Sequence, residues 1–147
     1  MIIAFILAAT VVAAPPVAET DAIFAAAGAQ RRGKDWILCP QDRAATARID
    51  LYRDLNGDGR TDVIVVADST ACYGVAGRGF ALVSRRPDGR WRRMIAGPGM
   101  AEVLDTKGVG GWPDITISGP GSCFPVMRWN GRAYGQTRRA YLGKPCR

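Results

Sequence analysis

Asp54-Leu-Asn-Gly-Asp-Gly-Arg-Thr-Asp62, followed at once by Val63-Ile-Val-Val66, is the most informative segment of this 147-residue chain. Oxygen-bearing side chains occupy the first, third, fifth and ninth loop positions, and a glycine allows the sharp turn at the sixth. Hard divalent cations bind about six to eight oxygens, and loops with this spacing supply them. The spacing predicts a Ca²⁺ site whose ligands are Asp54, Asn56, Asp58, the Arg60 carbonyl and Asp62.

The residues after this loop exclude an EF-hand. An EF-hand places a bidentate Glu at the twelfth position and continues into a helix, whereas that position here is Val65. The branched apolar residues at 63–66 instead predict a buried strand. Without the Glu, we expect a Kd for Ca²⁺ of about 0.1–1 mM, as in extracellular modules. The alternative is a solvated hairpin turn, because Asn-Gly and Asp-Gly are also turn dipeptides.

The loop followed by a strand resembles the Asp-x-Asn-x-Asp-Gly-x-x-Asp repeats of the FG-GAP type, found in integrin-like β-propellers and secreted bacterial proteins. The order of Cys39, the loop, Cys72-Tyr-Gly, Gly-Trp-Pro-Asp-Ile and Ser-Cys123-Phe-Pro also resembles a group of small exported proteobacterial proteins that carry one such loop. These resemblances imply a calcium-binding β domain, and they imply no particular activity. One loop in a chain of this length cannot supply the four or more blades, roughly, of a complete propeller.

Strand patterns dominate the chain from residue 36 onward, and turn residues separate them at short intervals. In the hairpin around Arg86-Pro-Asp-Gly-Arg90, we expect Ala81 and Val83 to face away from Phe80 and Leu82. Asp21 is predicted to cap a short N-terminal helix that ends at Gly28. The predicted strands cover residues 36–39, 47–53, 62–67, 79–86, 90–96, 113–118, 124–129 and 133–137.

A weak internal repeat organises these strands. Asp62-Val-Ile-Val-Val66, Cys72 and Phe80-Ala-Leu-Val-Ser84 parallel Asp114-Ile-Thr-Ile-Ser118, Cys123 and Phe124-Pro-Val-Met-Arg128. The second copy has Gly108-Val-Gly-Gly-Trp-Pro113 where the first has the acidic loop. We therefore predict a mainly β fold, a single antiparallel meander with two related blade-like units, of which one depends on a metal.

The N-terminus predicts export. Residues 1–14 are uncharged and mostly apolar, which matches a signal-peptide core and is too short to span a bilayer. We assign residues 1–18 to a signal peptide and 19–147 to one β domain, with a retained membrane anchor as the alternative. The expected location is the periplasm or the exterior, with a monomeric protein and no membrane span after processing.

Four cysteines fit an oxidising compartment: Cys39, Cys72, Cys123 and Cys146. They form no Cys-x-x-Cys pair, and the chain has no His, so the spacing of a zinc site is missing. Two disulfides are expected. Local closure in a meander favours Cys39 with Cys72 and Cys123 with Cys146, while Cys72 with Cys123 is the rival pairing.

The net charge of +7 is carried mostly by Arg, which grips carboxylates and phosphates with a planar fork. The densest basic cluster surrounds one hairpin, where alternation points Arg90 and Arg92 one way and Trp91 and Arg93 the other. We expect an anionic envelope polymer or an acidic protein as the partner, and no nucleic acid; a solubilising hairpin is the alternative. The candidate ligand-binding residues are Arg85, Arg86, Arg90, Trp91, Arg92 and Arg93.

Catalysis is hard to build from this composition. Without His, the commonest general base and the Ser-His and Cys-His nucleophiles are missing. A carboxylate-based envelope hydrolase is the alternative function, as is a purely structural accessory domain. The candidate catalytic carboxylates of such a hydrolase are Asp68, Glu102, Asp105 and Asp114. Trp112, Trp129 and Tyr134 either line a groove for a ligand or fill the core of the second unit.

Overall fold

A computed structural model describes residues 15–147. The predicted signal segment 1–18 lies outside the described residues except for its last four. The chain forms a short helix, a small two-stranded ribbon and two antiparallel meanders. The elements are α1 (Val17–Ala26), β1 (Gln30–Arg32), β2 (Asp35–Ile37), β3 (Arg48–Arg53), β4 (Asp62–Asp68), α2 (Thr70–Tyr73), β5 (Arg78–Arg85), β6 (Trp91–Pro98), β7 (Met100–Lys107), β8 (Pro113–Ser118), β9 (Phe124–Trp129), β10 (Tyr134–Tyr141) and β11 (Lys144–Pro145), with 3-10 turns at Gly74–Ala76 and Val109–Gly111.

The two meanders confirm the prediction of a mainly β fold with two related antiparallel units. The first sheet has the strand order β3-β4-β5-β6, and the second sheet has the order β7-β8-β9-β10-β11. Neighbouring strands pair antiparallel throughout both sheets. Each sheet thus begins with two strands joined by the loop that distinguishes the two sequence repeats.

Side chains alternate between the two faces of the first sheet along β4 and β5. Both faces are buried, because these two strands are apolar on both sides. Val63, Val65, Ala81 and Val83 pack with Ile23 and Phe24 of α1. On the opposite face the side chains pack against the second sheet: Ile64, Val66, Phe80 and Leu82 meet Trp112, Ile115, Trp129 and Tyr134. The predicted facing of β5 is confirmed, and the main core lies between the two sheets.

The helix begins earlier than predicted, so the assignment of Asp21 as its cap is wrong. Pro16, whose φ is −57°, precedes the first helical residue, and its carbonyl accepts the Thr20 N–H at 2.9 Å. Asp21 lies inside the helix, where its carboxylate accepts the Trp36 indole N–H and an Arg31 N–H, both at 2.8 Å. The predicted stop is confirmed, because Gly28 takes a φ of +91° just after the helix.

Both favoured disulfides are present, Cys39–Cys72 and Cys123–Cys146. The first ties the ribbon region to α2 behind the first sheet, and the second ties the start of β9 to the end of the chain. None of the helices in residues 15–147 has the length and apolar character that crossing a membrane requires.

Candidate metal centre and the adjoining pocket

The loop of residues 54–62, called here the acidic loop, wraps its backbone around the Asp54 carboxylate. Asp54 Oδ1 accepts the Gly57 N–H at 2.8 Å, and Asp54 Oδ2 accepts the Gly59 N–H at 2.7 Å. Gly57 and Gly59 hold φ values of +77° and +81°, which residues with a Cβ adopt rarely. Burial raises the pKa of Asp54, but these N–H groups outweigh it and hold that pKa below its usual value.

Side-chain oxygens of the acidic loop converge at one point. A terminal atom of the Asn56 amide lies 3.1 Å from Asp54 Oδ1 and 3.2 Å from Asp58 Oδ1. With the amide oxygen in that place, it accepts the Asp58 N–H at 3.3 Å and also faces the two carboxylate oxygens, an arrangement that a cation would satisfy. With the amide nitrogen there, its N–H groups donate to both carboxylates. The loop therefore has a cation-compatible and a self-bonded amide orientation.

Asp62, the fourth predicted side-chain ligand, lies beneath this group with no exposed surface. Its Oδ2 accepts the Leu55 N–H at 2.7 Å, and its Oδ1 accepts the Ser84 hydroxyl at 2.6 Å. Burial, together with the negative charges of Asp58 and Asp54, raises the pKa of Asp62 to about 6, and the two hydrogen bonds oppose that rise. This carboxylate costs free energy when ionised unless a positive charge stands nearby.

The candidate metal ligands of the acidic loop are hard oxygens, but its carboxylates alone are too few to coordinate a cation. Within residues 15–147, no three side chains of the Asp, Glu, His or Cys type gather closely enough to hold a metal. A cation at the acidic loop thus needs the Asn56 amide, backbone carbonyls and water beside its carboxylates. The Arg60 guanidinium pairs with Asp58 at 2.9 Å and donates to the Arg85 carbonyl at 3.1 Å.

The loop of residues 108–112, called here the glycine loop, lies against the acidic loop. Gly111 has a φ of +76°, and a Cβ on it would stand 2.9 Å from the Asn56 carbonyl oxygen. Gly108 is equally confined, because a Cβ there would strike the Trp129 carbonyl oxygen. The absence of a side chain at Gly111 therefore allows the second sheet to pack closely against the acidic loop, and the absence of one at Gly108 allows the glycine loop to pack against β9 of its own sheet.

The second sheet buries a carboxylate at the corresponding position and neutralises it with arginines. Asp114 is the second residue of β8, whereas Asp62 is the first residue of β4, and Asp114 also has no exposed surface. Arg128 donates to both of its oxygens at 2.9 and 2.8 Å, Arg138 donates at 3.0 Å, and the Thr106 hydroxyl donates at 2.5 Å. The Arg128 guanidinium, with these partners, holds the pKa of Asp114 well below its usual range.

The structure splits the predicted arginine cluster, as strand alternation requires. Trp91 packs with the α1 core, and the Arg93 guanidinium lies beside Gly28. Arg92 points the other way, with its guanidinium 5.2 Å from the centre of the Trp129 ring. Arg90 is exposed at the hairpin and does not join the pocket described next.

A pocket of about 290 Å³ joins three features that lie far apart along the chain. One wall belongs to the acidic loop, another to the arginine hairpin, and the floor to Trp112 and Trp129 of the second sheet. These two tryptophans and Tyr134 are mostly buried, so they fill the core as one of the two alternatives predicted. The lining residues are Asn56, Asp58, Arg60, Ser84, Arg85, Arg86, Pro87, Arg92, Met94, Trp112 and Trp129.

The candidate catalytic carboxylates do not share a site. Asp68 pairs with Arg48 and Arg78 at 2.7 Å each, and Asp114 lies within its own arginine network. The Ser118 hydroxyl donates to Glu102 at 3.5 Å, and Asp105 lines a separate surface pocket with Asp54 and Lys107. Sequence reasoning missed Arg128 and Arg138, although Arg128 lies in β9 at the repeat position of Ser84 and could have been found from that alignment.

Comparison of the chain with known protein families, with curated proteins and with solved structures found no match.

Proposed function

We propose that this protein is an exported, non-enzymatic β domain that a structural Ca²⁺ on the acidic loop stabilises, an FG-GAP-type loop in a two-sheet setting. The proposal rests on the Asn56 amide group, one terminal atom of which lies 3.1 Å from Asp54 Oδ1 and 3.2 Å from Asp58 Oδ1. Two disulfides and the absence of a membrane-spanning helix in residues 15–147 are compatible with a place outside the cytoplasm.

The position of the loop argues for a structural role. It joins β3 to β4, covers the buried Asp62 and contacts the glycine loop of the second sheet. A cation here would offset the repulsion among Asp54, Asp58 and Asp62 and hold together both sheets at their shared edge. Ca²⁺ should therefore raise the stability of the whole domain rather than order one turn.

A thermal unfolding experiment tests the metal, with a control that the chain itself supplies. Asp58-Gly-Arg60 and Asp88-Gly-Arg90 are the same tripeptide, and each Asp accepts the N–H of the Arg two residues on, at 2.8 and 2.9 Å. With about 5 mM Ca²⁺ and a Kd near 0.5 mM, the free energy of unfolding should rise by about 1.4 kcal/mol. This corresponds to a Tm increase of about 5 °C.

Asp58→Ala should lose that increase, whereas Asp88→Ala should keep it while losing the same turn hydrogen bond. A wild-type Tm that is equal in Ca²⁺ and in chelator would show that the acidic loop is a plain turn. Equal loss of the Ca²⁺ response in both variants would also contradict a site at the acidic loop.

Binding of an anionic envelope polymer or acidic protein is the second part of the proposed function. The observation that favours it is the pocket, where four arginines meet one carboxylate among the described residues. Retention on an immobilised polyanion should fall in Arg92→Gln and remain in Arg43→Gln, an exposed residue outside the pocket. Equal retention of both variants would favour a purely structural accessory domain.

A further inference from the structure

The pocket beside the acidic loop combines a cationic rim, hydroxyl and carboxylate acceptors, and an aromatic floor. Ligand sites with a few placed polar groups on an apolar base are typical of small-molecule recognition, and about 300 Å³ suits a ligand of one sugar ring or one dipeptide. The pocket volume of about 290 Å³ lies at this small end. The size of the pocket and its lining of charged, polar and aromatic side chains therefore favour a small polar ligand.

The arginines of the rim differ in how far they are already engaged. Arg60 is paired with Asp58, and Arg85 stands 3.9 Å from Glu19 of α1. Among the described residues, Arg86 and Arg92 have no carboxylate partner. Packing over the Trp129 ring fixes the Arg92 guanidinium, so its remaining N–H groups can meet a planar carboxylate without a large loss of side-chain entropy.

The opposite wall offers acceptors rather than cations. Asp58 keeps 23% of its side chain exposed, and Asn56 and Ser84 complete this side of the pocket. Such groups accept hydrogen bonds from hydroxyls and repel a second negative charge. A dianionic phosphate would place charge toward Asp58, whereas a ligand with one carboxylate and several hydroxyls satisfies both walls.

The floor provides apolar contact for the body of the ligand. Trp112 and Trp129 lie with ring centres 6.2 Å apart, and their small exposed parts line the pocket beside the half-buried Met94. The C–H face of a sugar ring packs against apolar surfaces of this kind while its hydroxyls reach outward. An aliphatic fatty acid would leave the acceptors of the acidic loop unpaired.

We propose that this pocket binds a hexuronate unit of an acidic polysaccharide. The carboxylate lies between Arg86 and Arg92, the hydroxyls donate to Asp58 and Ser84, and the ring covers the Trp112–Trp129 floor. This assignment rests on the proposed function, because it gives the anionic partner a chemical class. Since Asn56 and Asp58 belong to both sites, Ca²⁺ at the acidic loop holds one wall of the pocket in place.

Titration with galacturonate, followed by NMR at the indole N–H signals of Trp112 and Trp129, tests this proposal on the full protein in Ca²⁺. Galacturonate should shift both signals in a saturable manner, whereas galactose, acetate and inorganic phosphate at equal ionic strength should not. Arg92→Gln should weaken binding about tenfold, since it removes one charge-assisted pair. Arg90→Gln changes the net charge equally on the same hairpin, outside the pocket, and should leave binding unchanged.

Because Arg92→Gln would also weaken binding if it only lowered the Tm, Arg86→Gln provides a second test. This variant removes the other arginine that pairs with the carboxylate, and it should also weaken galacturonate binding. Equal shifts with phosphate, or equal losses in the Arg90 and Arg92 variants, would overturn the hexuronate assignment in favour of general charge attraction. If galacturonate gives no shift while Ca²⁺ still raises the Tm, only this inference fails. If galacturonate binds but Ca²⁺ has no effect on the Tm, the metal proposal fails and the pocket stands.

Discussion

The two sheets bury the same carboxylate in the same place and neutralise it by different means. Asp62 and Asp114 lie at the start of the second strand of their sheet, as its first and second residue respectively, and neither has exposed surface. Asp62 pairs across the ladder with Ser84, and the register of β8 and β9 places Arg128 opposite Asp114 in the same way. A serine in the first sheet thus corresponds to an arginine in the second.

The difference explains why only one sheet carries an acidic loop. In the second sheet, the side chains of Arg128 and Arg138 neutralise Asp114, so no cation is needed there. The loop between β7 and β8 can therefore be short and rich in glycines that pack closely. The first sheet has a hydroxyl and a backbone N–H around Asp62, which leaves the charge of that carboxylate unbalanced. We infer that a diffusible cation serves the first sheet and a guanidinium pair serves the second.

The largest expected effect comes from neutralising each carboxylate in turn. Asp114→Asn leaves two guanidinium groups without their shared partner and should lower the free energy of unfolding by about 3 kcal/mol, with or without Ca²⁺. Asp62→Asn removes an uncompensated buried charge, so in chelator it should change stability by less than about 1 kcal/mol. Urea unfolding in Ca²⁺ and in chelator measures both.

Asp62→Asn should also reduce the stabilisation by Ca²⁺, whereas Asp114→Asn should leave that increment intact. If Asp62→Asn is as costly in chelator as Asp114→Asn, the two carboxylates are equally well neutralised without a cation, and the comparison between the sheets is wrong.

A smaller effect is expected where the two loops touch. Gly111→Ala adds a Cβ 2.9 Å from the Asn56 carbonyl oxygen at a φ of +76°, so it should cost about 2 kcal/mol and weaken the Ca²⁺ response. Gly110 has a similar φ of +68°, but a Cβ there meets only Trp112 at an ordinary 3.6 Å. Gly110→Ala should therefore cost about 1 kcal/mol and preserve the Ca²⁺ response.

Calorimetry of both glycine variants with and without Ca²⁺ separates backbone strain from contact with the acidic loop. An unchanged Ca²⁺ increment in Gly111→Ala would mean that the glycine loop does not support the metal site.

The smallest expected effect is the pH dependence of stability, which has opposite signs for Asp62 in the first sheet and Asp114 in the second. The pKa of Asp62 is raised to about 6 by burial, above its unfolded value of about 3.9, so the native state binds the proton more tightly. In chelator, the contribution of Asp62 is present below pH 4, roughly, and is lost as the pH rises to about 6. Asp114 has a lowered pKa, so its contribution is present above its unfolded pKa and is lost only in acid.

If Asp62 is a ligand of Ca²⁺, the ion competes with the proton on this carboxylate, and the Tm gain from Ca²⁺ should be about 3 °C larger at pH 7.5 than at pH 5. Thermal scans at both pH values measure this difference. Asp62→Asn should remove it, and a Tm gain that is independent of pH in the wild type would exclude Asp62 from the metal site.

Short-range signals predicted much of the fold. Branched apolar runs and turn residues located strands at 113–118 and 124–129 to the residue, and local closure favoured the two disulfides that are present. Strand β7 was missed because it has no run of branched apolar residues and because the alternation of Ala101, Glu102 and Val103 breaks at Leu104, after which only polar residues follow. The start of α1 was misplaced because Pro16, rather than an oxygen-bearing side chain, precedes it.

The candidate site was predicted in part. Loop spacing identifies Asp54, Asn56 and Asp58 because metal loops take their ligands from neighbouring residues. The arginine hairpin was recognised as one cluster, yet only Arg85, Arg86 and Arg92 of that cluster line the pocket. The contact between that side and Trp129 depends on how the two sheets pack, which no local pattern encodes.

The strand pattern, the two-unit repeat and the oxygen-rich loop follow from the sequence alone, and the sequence favours the disulfide pairing without excluding its rival, since each of these features depends on residues close together along the chain or on side-chain alternation. Only the tertiary structure decided that Arg128 and Arg138 take over the charge at Asp114, and that the acidic loop, the arginine hairpin and two tryptophans share a pocket. These groups are up to about 70 residues apart in the chain and meet because two sheets bury their apolar faces against each other.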